Sequence, residues 1–254
     1  MKKTIRLSFI IFKDIFREKI FWSFLLVAIL FIFASLILRE MAVGEKGKVY
    51  KDLGLVSESF FGVLLIIIVG SNLISREITG KTLYIILSKP IKHYQYILAN
   101  FNALLLLGLI LIFVVSTVDW VFLLINGENW LIPLLKGGYF LFFELVLLSA
   151  LSLFFSTFMS GYLGMASMIF IYIIGHSTEK AVQLTAQSEL ITTKVLFKLL
   201  YYILPNLENF NVKTQLVYNL DVPKIQFLYS PIYSIFYSAF LLVLSSIILS
   251  RKDI

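Results

Sequence analysis

Long apolar runs, all but one uncharged, alternate along this chain with short charged stretches. The runs Ile20–Leu38, Ser59–Ile74, Ile97–Val118, Leu134–Phe158, Tyr162–His176 and Tyr229–Leu249 read as membrane-spanning helices, because the hydrocarbon core of a bilayer takes about 20 apolar residues in helical form. Residues 2–19 are different. Ile5, Phe9, Phe12 and Phe16 recur at helical spacing, while Arg6, Lys13 and Arg17 fall on another face. That pattern predicts a basic amphipathic helix lying along the headgroups of an anionic leaflet. Between the second and third spans, Ser75–Tyr96 carries Arg76, Lys81, Lys89 and Lys92 around an apolar run from Leu83 to Leu87. The run is too short to cross, so its apolar face needs a partner. The fold class expected is all-α: one polytopic membrane domain over residues 1–254, with six transmembrane helices, an N-terminal interfacial helix and a short cytosolic helix between spans 2 and 3.

The longest connection, residues 177–228, contains a further apolar stretch, Val195–Leu204, broken only by Lys198 and followed by Pro205 and Asn206. Proline stops a helix and Asn can begin a new turn. Either a re-entrant helix or an amphipathic helix packed on the bundle fits it.

Composition agrees with a membrane chain. The 254 residues are 59% hydrophobic and 15% charged, where soluble domains are about 25% charged. Absence of cysteine excludes disulfides, thiolate metal sites and cysteine nucleophiles. The net charge of +7 is explained by topology. With the amino terminus in the cytoplasm, the leader, the central stretch and the tail are all net basic and all internal, whereas the external loops sum to about zero, as the positive-inside rule requires. Nucleic-acid binding is not needed to account for it. Trp120 and Trp130, with Asp119 and Glu128, mark the opposite interface.

Few residues suggest chemistry. Gly80-Lys81-Thr82 resembles the end of a phosphate-binding loop, but Ser75 stands where that motif needs its first glycine and no strand precedes it; ATP binding is not expected on this chain. His93 and His176 fall on opposite sides of the membrane and cannot share a metal, so no metal or catalytic residue is assigned. Glu144 lies near the middle of span 4, where an ionisable group marks a functional site or a polar lock between helices. Ser149 or Asn102 are its candidate partners in a lock. Asn100 and Asn102, near the inner end of span 3, read as packing polar groups. Ser149, Ser152, Ser156, Gly161, Gly164 and Ser167 are small residues that let helices approach closely.

The run Glu77-x-x-Gly80-x-Thr82-Leu83-x-x-x-Leu87-Ser88-x-Pro90-Ile91 resembles the cytosolic loop of ABC transporter permeases of the type-2 export class, whose pattern is roughly Glu-x-x-x-Gly-Thr-Leu-x-x-x-Leu-Ser-x-Pro-Ile. Lys81 stands between Gly80 and Thr82, where many members have Gly and Thr adjacent. The basic leader, six spans and long external loop are also similar, and Leu204-Pro205-Asn206-Leu207-Glu208-Asn209-Phe210 resembles members related to copper-enzyme maturation and gliding motility. The resemblance implies a permease subunit of an ATP-driven exporter in a prokaryotic inner membrane, with both termini cytosolic. Its coupling helix, about Glu77–Leu87, would contact a separate ABC ATPase through Glu77, Gly80, Thr82, Leu83, Leu87, Ser88 and Pro90. ATP and Mg would be held by that subunit, with no cofactor on this chain. Two permeases, as a homodimer or heterodimer, would join two ATPases. A different reading is a membrane scaffold that passes force to a periplasmic partner through 177–228 without moving a substrate.

Overall fold

The structure, a computed structural model, describes residues 2–41, 45–83, 91–186 and 204–252. Their regular elements are all helical: α1 (Lys2–Arg17), α2 (Lys19–Met41), α3 (Lys46–Thr79), α4 (His93–Ile125), α5 (Leu131–Ser156), α6 (Gly161–Ala186), a 3-10 turn (Glu208–Phe210), α7 (Lys213–Val217) and α8 (Lys224–Arg251). Five of them, α2, α3, α4, α5 and α8, are long and apolar enough to cross a membrane, while the apolar part of α6, Gly161–Ser177, is shorter. Most of Val195–Leu204 lies outside the described residues, as do Leu87, Ser88 and Pro90.

Helix α3 begins well before the expected start of span 2. Lys46, Lys48, Lys51 and Asp52 end the apolar run, but neither proline nor a capping side chain interrupts the helix there. With 34 residues it is about 51 Å long, against a hydrocarbon core of about 30 Å. The length beyond the apolar run falls on the charged amino-terminal turns, Lys46 to Asp52. Glu58, which hydropathy assigns to the loop, is thereby carried into the bundle, where it is 1% exposed.

Helices α3 and α5 form the centre: 72% of the apolar window of each is buried, against 22% for α2. Small residues allow this. A Cβ on Gly70 would come 2.8 Å from the Cβ of Ser152, and one on Gly164 would come 3.3 Å from that of Ser71. Ser156 Oγ accepts the backbone N–H groups of Ile74 and Ser75 at 3.0 and 2.9 Å. On the other side of α5, α8 presents Ser230, Ser234 and Ser238, all buried. Ser234 Oγ donates to the Phe143 carbonyl at 2.6 Å and Ser238 Oγ to that of Val146 at 3.3 Å. Such short side chains bring backbones together where no hydrophobic effect drives helices against one another. Pro231, inside α8, leaves the carbonyl of Phe227 without its helical donor; Tyr139 Oη supplies one at 2.8 Å.

Helix α1 is amphipathic as expected, but it packs differently. Its Ser8 and Ile15 are buried and Phe12 and Phe16 join the core, whereas Ile5 and Phe9 are more than half exposed. It therefore docks one side against the bundle, chiefly α4, and keeps a second apolar strip outward.

Replacing Gly70 by alanine is expected to lower stability by about 1–3 kcal/mol in unfolding of the detergent-solubilised chain. Combining it with Ser152→Gly should recover most of the loss. An unchanged midpoint for Gly70→Ala alone would contradict the close α3–α5 contact.

Candidate functional site

Two regions carry the polar residues with something to do, about 30 Å apart along α3. The first is its carboxyl end. Gly80 N–H donates to the Arg76 carbonyl at 2.8 Å and Lys81 N–H to that of Ile78 at 3.2 Å. Lys81 has φ +56°, the left-handed conformation. Helices commonly end on one residue in that conformation, usually glycine. The glycine of the Glu-x-x-x-Gly-Thr-Leu pattern falls at this same position, immediately before Thr82. Gly80 itself is right-handed, with φ −79°. Lys81, rather than Gly80, therefore occupies the turn position.

This break corrects one expectation. Glu77 belongs to α3 itself, and a helix running unbroken from Glu77 to Leu87 is excluded by the turn at Gly80–Lys81. Glu77 accepts a hydrogen bond from Tyr96 Oη of α4, and Tyr96 is fully buried, so the pair clamps the two helices at their shared end. Asn100, one turn further along α4, donates to the Tyr96 carbonyl at 3.0 Å, a bond within its own helix rather than between helices. Thr82 is exposed, whereas Leu83 is 1% exposed and joins the core. Leu83 pins the connection to its own bundle and cannot form an exposed docking face.

The second region surrounds Glu144, which is 3% exposed on α5. Neither expected partner bonds to it. Asn102 faces outward from α4, and Ser149 Oγ has no hydrogen-bond partner among the described residues. Instead Glu144 Oε1 lies 3.1 Å from His176 Nε2, and His176 Nδ1 lies 3.2 Å from Glu208 Oε2. The pairing follows from the α5–α6 hairpin. Glu144 stands 12 residues before the end of α5 and His176 15 residues after the start of α6, about 18 and 22 Å from the turn. The two residues therefore face each other at nearly the same depth.

Glu208 comes from the chain after α6. Leu207 N–H donates to the Gly175 carbonyl at 3.2 Å, Asn206 N–H to Tyr233 Oη at 3.0 Å, and both Gln226 Nε2 and Ser230 Oγ to the Asn209 carbonyl. The Leu204–Phe210 run thus folds back onto the bundle. Beside it, a cavity of about 20 Å³ is lined by Glu58, Glu144, Phe210, Val212 and Lys213, enough for one water molecule. Glu58 accepts a hydrogen bond from Ser116 Oγ at 2.7 Å. Nearer the amino end of α3, Tyr50 Oη donates to the buried Asp119 at 3.2 Å, and Lys48 lies over the Tyr218 ring at 4.7 Å. The 213–218 stretch therefore sits at the end of α3 opposite the Gly80–Lys81 turn.

Residues 12–176, more than half of the sequence, match the family described as ABC-2 family transporter protein. The chain belongs to that family. No curated protein matches it. As an ABC-2 permease it is a multi-pass membrane component of a transporter, and the family implies association with an ABC ATPase subunit. Within this permease, Glu58, Asp119 and Glu208 are candidate site residues that hydropathy alone misses, since Glu58 and Asp119 stand at the edges of apolar runs and Glu208 in a polar stretch of a long loop. The symmetric spacing of Glu144 and His176 about the Met159–Gly161 turn is the signal that finds their pair.

Lys81→Gly is expected to leave stability within about 1 kcal/mol of the parent, because relief of the left-handed conformation and the added freedom of the unfolded chain offset each other. Lys81→Val should cost about 1–2 kcal/mol more. Chemical unfolding of the two variants side by side tests this; equal stabilities would contradict the turn geometry.

Proposed function

We propose that this chain is the membrane-spanning permease subunit of an ATP-driven exporter in a prokaryotic inner membrane, crossing six times with both termini in the cytosol. Helix α6 is the sixth crossing. The reading is supported by its start at the inner turn after α5 and by the position of 213–218 at the far end of α3. The separate ABC ATPase, holding ATP and Mg, docks on the connection between α3 and α4. Two permeases assemble with two ATPases. The basic helix α1 lies in the inner leaflet with Ile5 and Phe9 toward lipid.

The observation that carries the coupling role is the join at the end of α3. Exposed Thr82 is offered to a partner, buried Leu83 ties the connection to the core, and the Glu77–Tyr96 bond ties α3 to α4. Closure of the ATPase pair pushes on this join. Because α3 is one continuous helix, a displacement there moves as a rigid body to Glu58 and Tyr50 near its other end. The force-transmitting scaffold draws no support from the described part of the external loop, which is folded onto the bundle.

In this naturally cysteine-free chain, Thr82→Cys is expected to crosslink to a co-expressed ABC ATPase, with a yield that changes on adding nucleotide. Leu83→Ala should preserve assembly and ATP hydrolysis while lowering transport. Absence of any crosslink from folded, membrane-inserted protein would overturn the docking assignment.

A further inference from the structure

The imidazole of His176 lies between two carboxylates, 3.1 Å from Glu144 through Nε2 and 3.2 Å from Glu208 through Nδ1. Ionised carboxylate oxygens only accept, so each contact is a hydrogen bond only when a proton sits in it. With both bonds made the trio holds two protons, as an imidazolium between two carboxylates or as a neutral ring with one protonated carboxyl. Its net charge is −1 in either form. Loss of one proton leaves lone pair facing lone pair in one contact and a charge of −2, a costly arrangement away from water.

Among the described side chains, few neighbouring charges offset that change. On its own helix, Tyr172 meets the His176 ring edge-on at 4.7 Å between centroids. Helix α8 contributes Tyr233, whose hydroxyl accepts the Asn206 N–H at 3.0 Å, and carries no charged residue between Lys224 and Arg251. Helices α3 and α7 contribute Glu58 and Lys213, which line the small cavity beyond Glu144. Asn211 Nδ2 donates to Glu208 at 3.2 and 3.3 Å.

The two bonds differ in what can replace them. The Glu144 side chain is 4% exposed on a central helix, while that of Glu208 is 22% exposed on a single 3-10 turn and keeps the Asn211 donor. The Glu208 contact is the one that gives way. Glu208 stands at the head of the chain segment that roofs the Glu58–Glu144 cavity through Phe210, Val212 and Lys213. We propose that Glu144, His176 and Glu208 form a proton-binding site that closes this end of the bundle: with the second proton bound, the 205–217 segment is clamped over the cavity, and when it leaves, the segment lifts and the cavity opens. That this end faces outward rests on the six-crossing topology proposed above.

The test uses the detergent-solubilised full chain, in which both faces are reachable, so its outcome does not depend on that orientation. Val212, 2% exposed, is replaced by cysteine, and exposed Thr214 is replaced in a second variant. Their rates of labelling by a water-soluble maleimide are taken as a ratio, which cancels the ordinary rise of thiolate with pH. The Val212→Cys to Thr214→Cys ratio is expected to rise severalfold between about pH 5 and about pH 8, the range in which an imidazole switches. Added His176→Gln carries both its N–H donors on one nitrogen, so it cannot donate from the two separate ring-nitrogen positions as an imidazolium does, and it does not titrate; it should give a high ratio at every pH. Added Glu208→Gln can donate to a neutral His176 while the ring donates to Glu144; it should keep the ratio low throughout and serves as the decisive variant if His176→Gln does not fold. A pH-independent ratio in the parent, or a Glu208→Gln ratio that rises like the parent's, would overturn the proposal.

Discussion

An ionisable group inside a bilayer has to be matched by another group, and the far half of this permease is arranged around that requirement. Glu144 sits in the middle of the central helix α5, where an unpaired charge is expensive. His176 meets it from α6 and Glu208 from the chain after α6. Irregular backbone at membrane depth is tolerated only where protein covers it or it lines a cavity. The Leu204–Phe210 run satisfies this through Gly175, Tyr233, Gln226 and Ser230. The buried Leu207, Phe210 and Val212 anchor the same segment in the core, and Glu208 adds the polar contact.

The same helices serve the opposite end. The glycine and serine contacts that set α3 against α5 brace this continuous helix between the Gly80–Lys81 turn and the Glu58–Ser116 bond. In the proposed mechanism, a push from an ATPase at the turn would act on one continuous helix. The Glu77–Tyr96 bond and the burial of Leu83 commit α4 to move with it. In the proposed coupling, two helices share an anchored end and the exposed residues of the connection are left for the partner.

Hydropathy was enough to place the five longest apolar helices, because each carries an uninterrupted run that no other solvent would accept. It could not place their ends. Lys46 to Asp52 read as loop, yet charge on the part of a helix that leaves the membrane has no cost, so α3 continues through them. Glu77 was legible as a residue of the inner connection but not as the end of α3, since the break depends on Lys81 adopting a conformation usually left to glycine. Glu144 was legible as costly. Its partner was not, because pairing depends on equal depth across a hairpin, and the histidine looked like an interface residue. Glu208 stands in a polar stretch of a long loop, and only tertiary packing brings it to His176.

The central claim is that the α3–α4 connection and the segment bearing Glu208 lie on opposite sides of the membrane, with α6 crossing between them. Sealed vesicles of known orientation test it directly. Single cysteines at Arg76, beside the turn, and at Tyr218, which is 55% exposed, are treated with a membrane-impermeant thiol reagent. The account requires Arg76→Cys to react only from the cytosolic side and Tyr218→Cys only from the other. Reaction of both from the same side would mean that α6 does not cross, and would contradict the architecture on which the coupling and closure mechanisms depend.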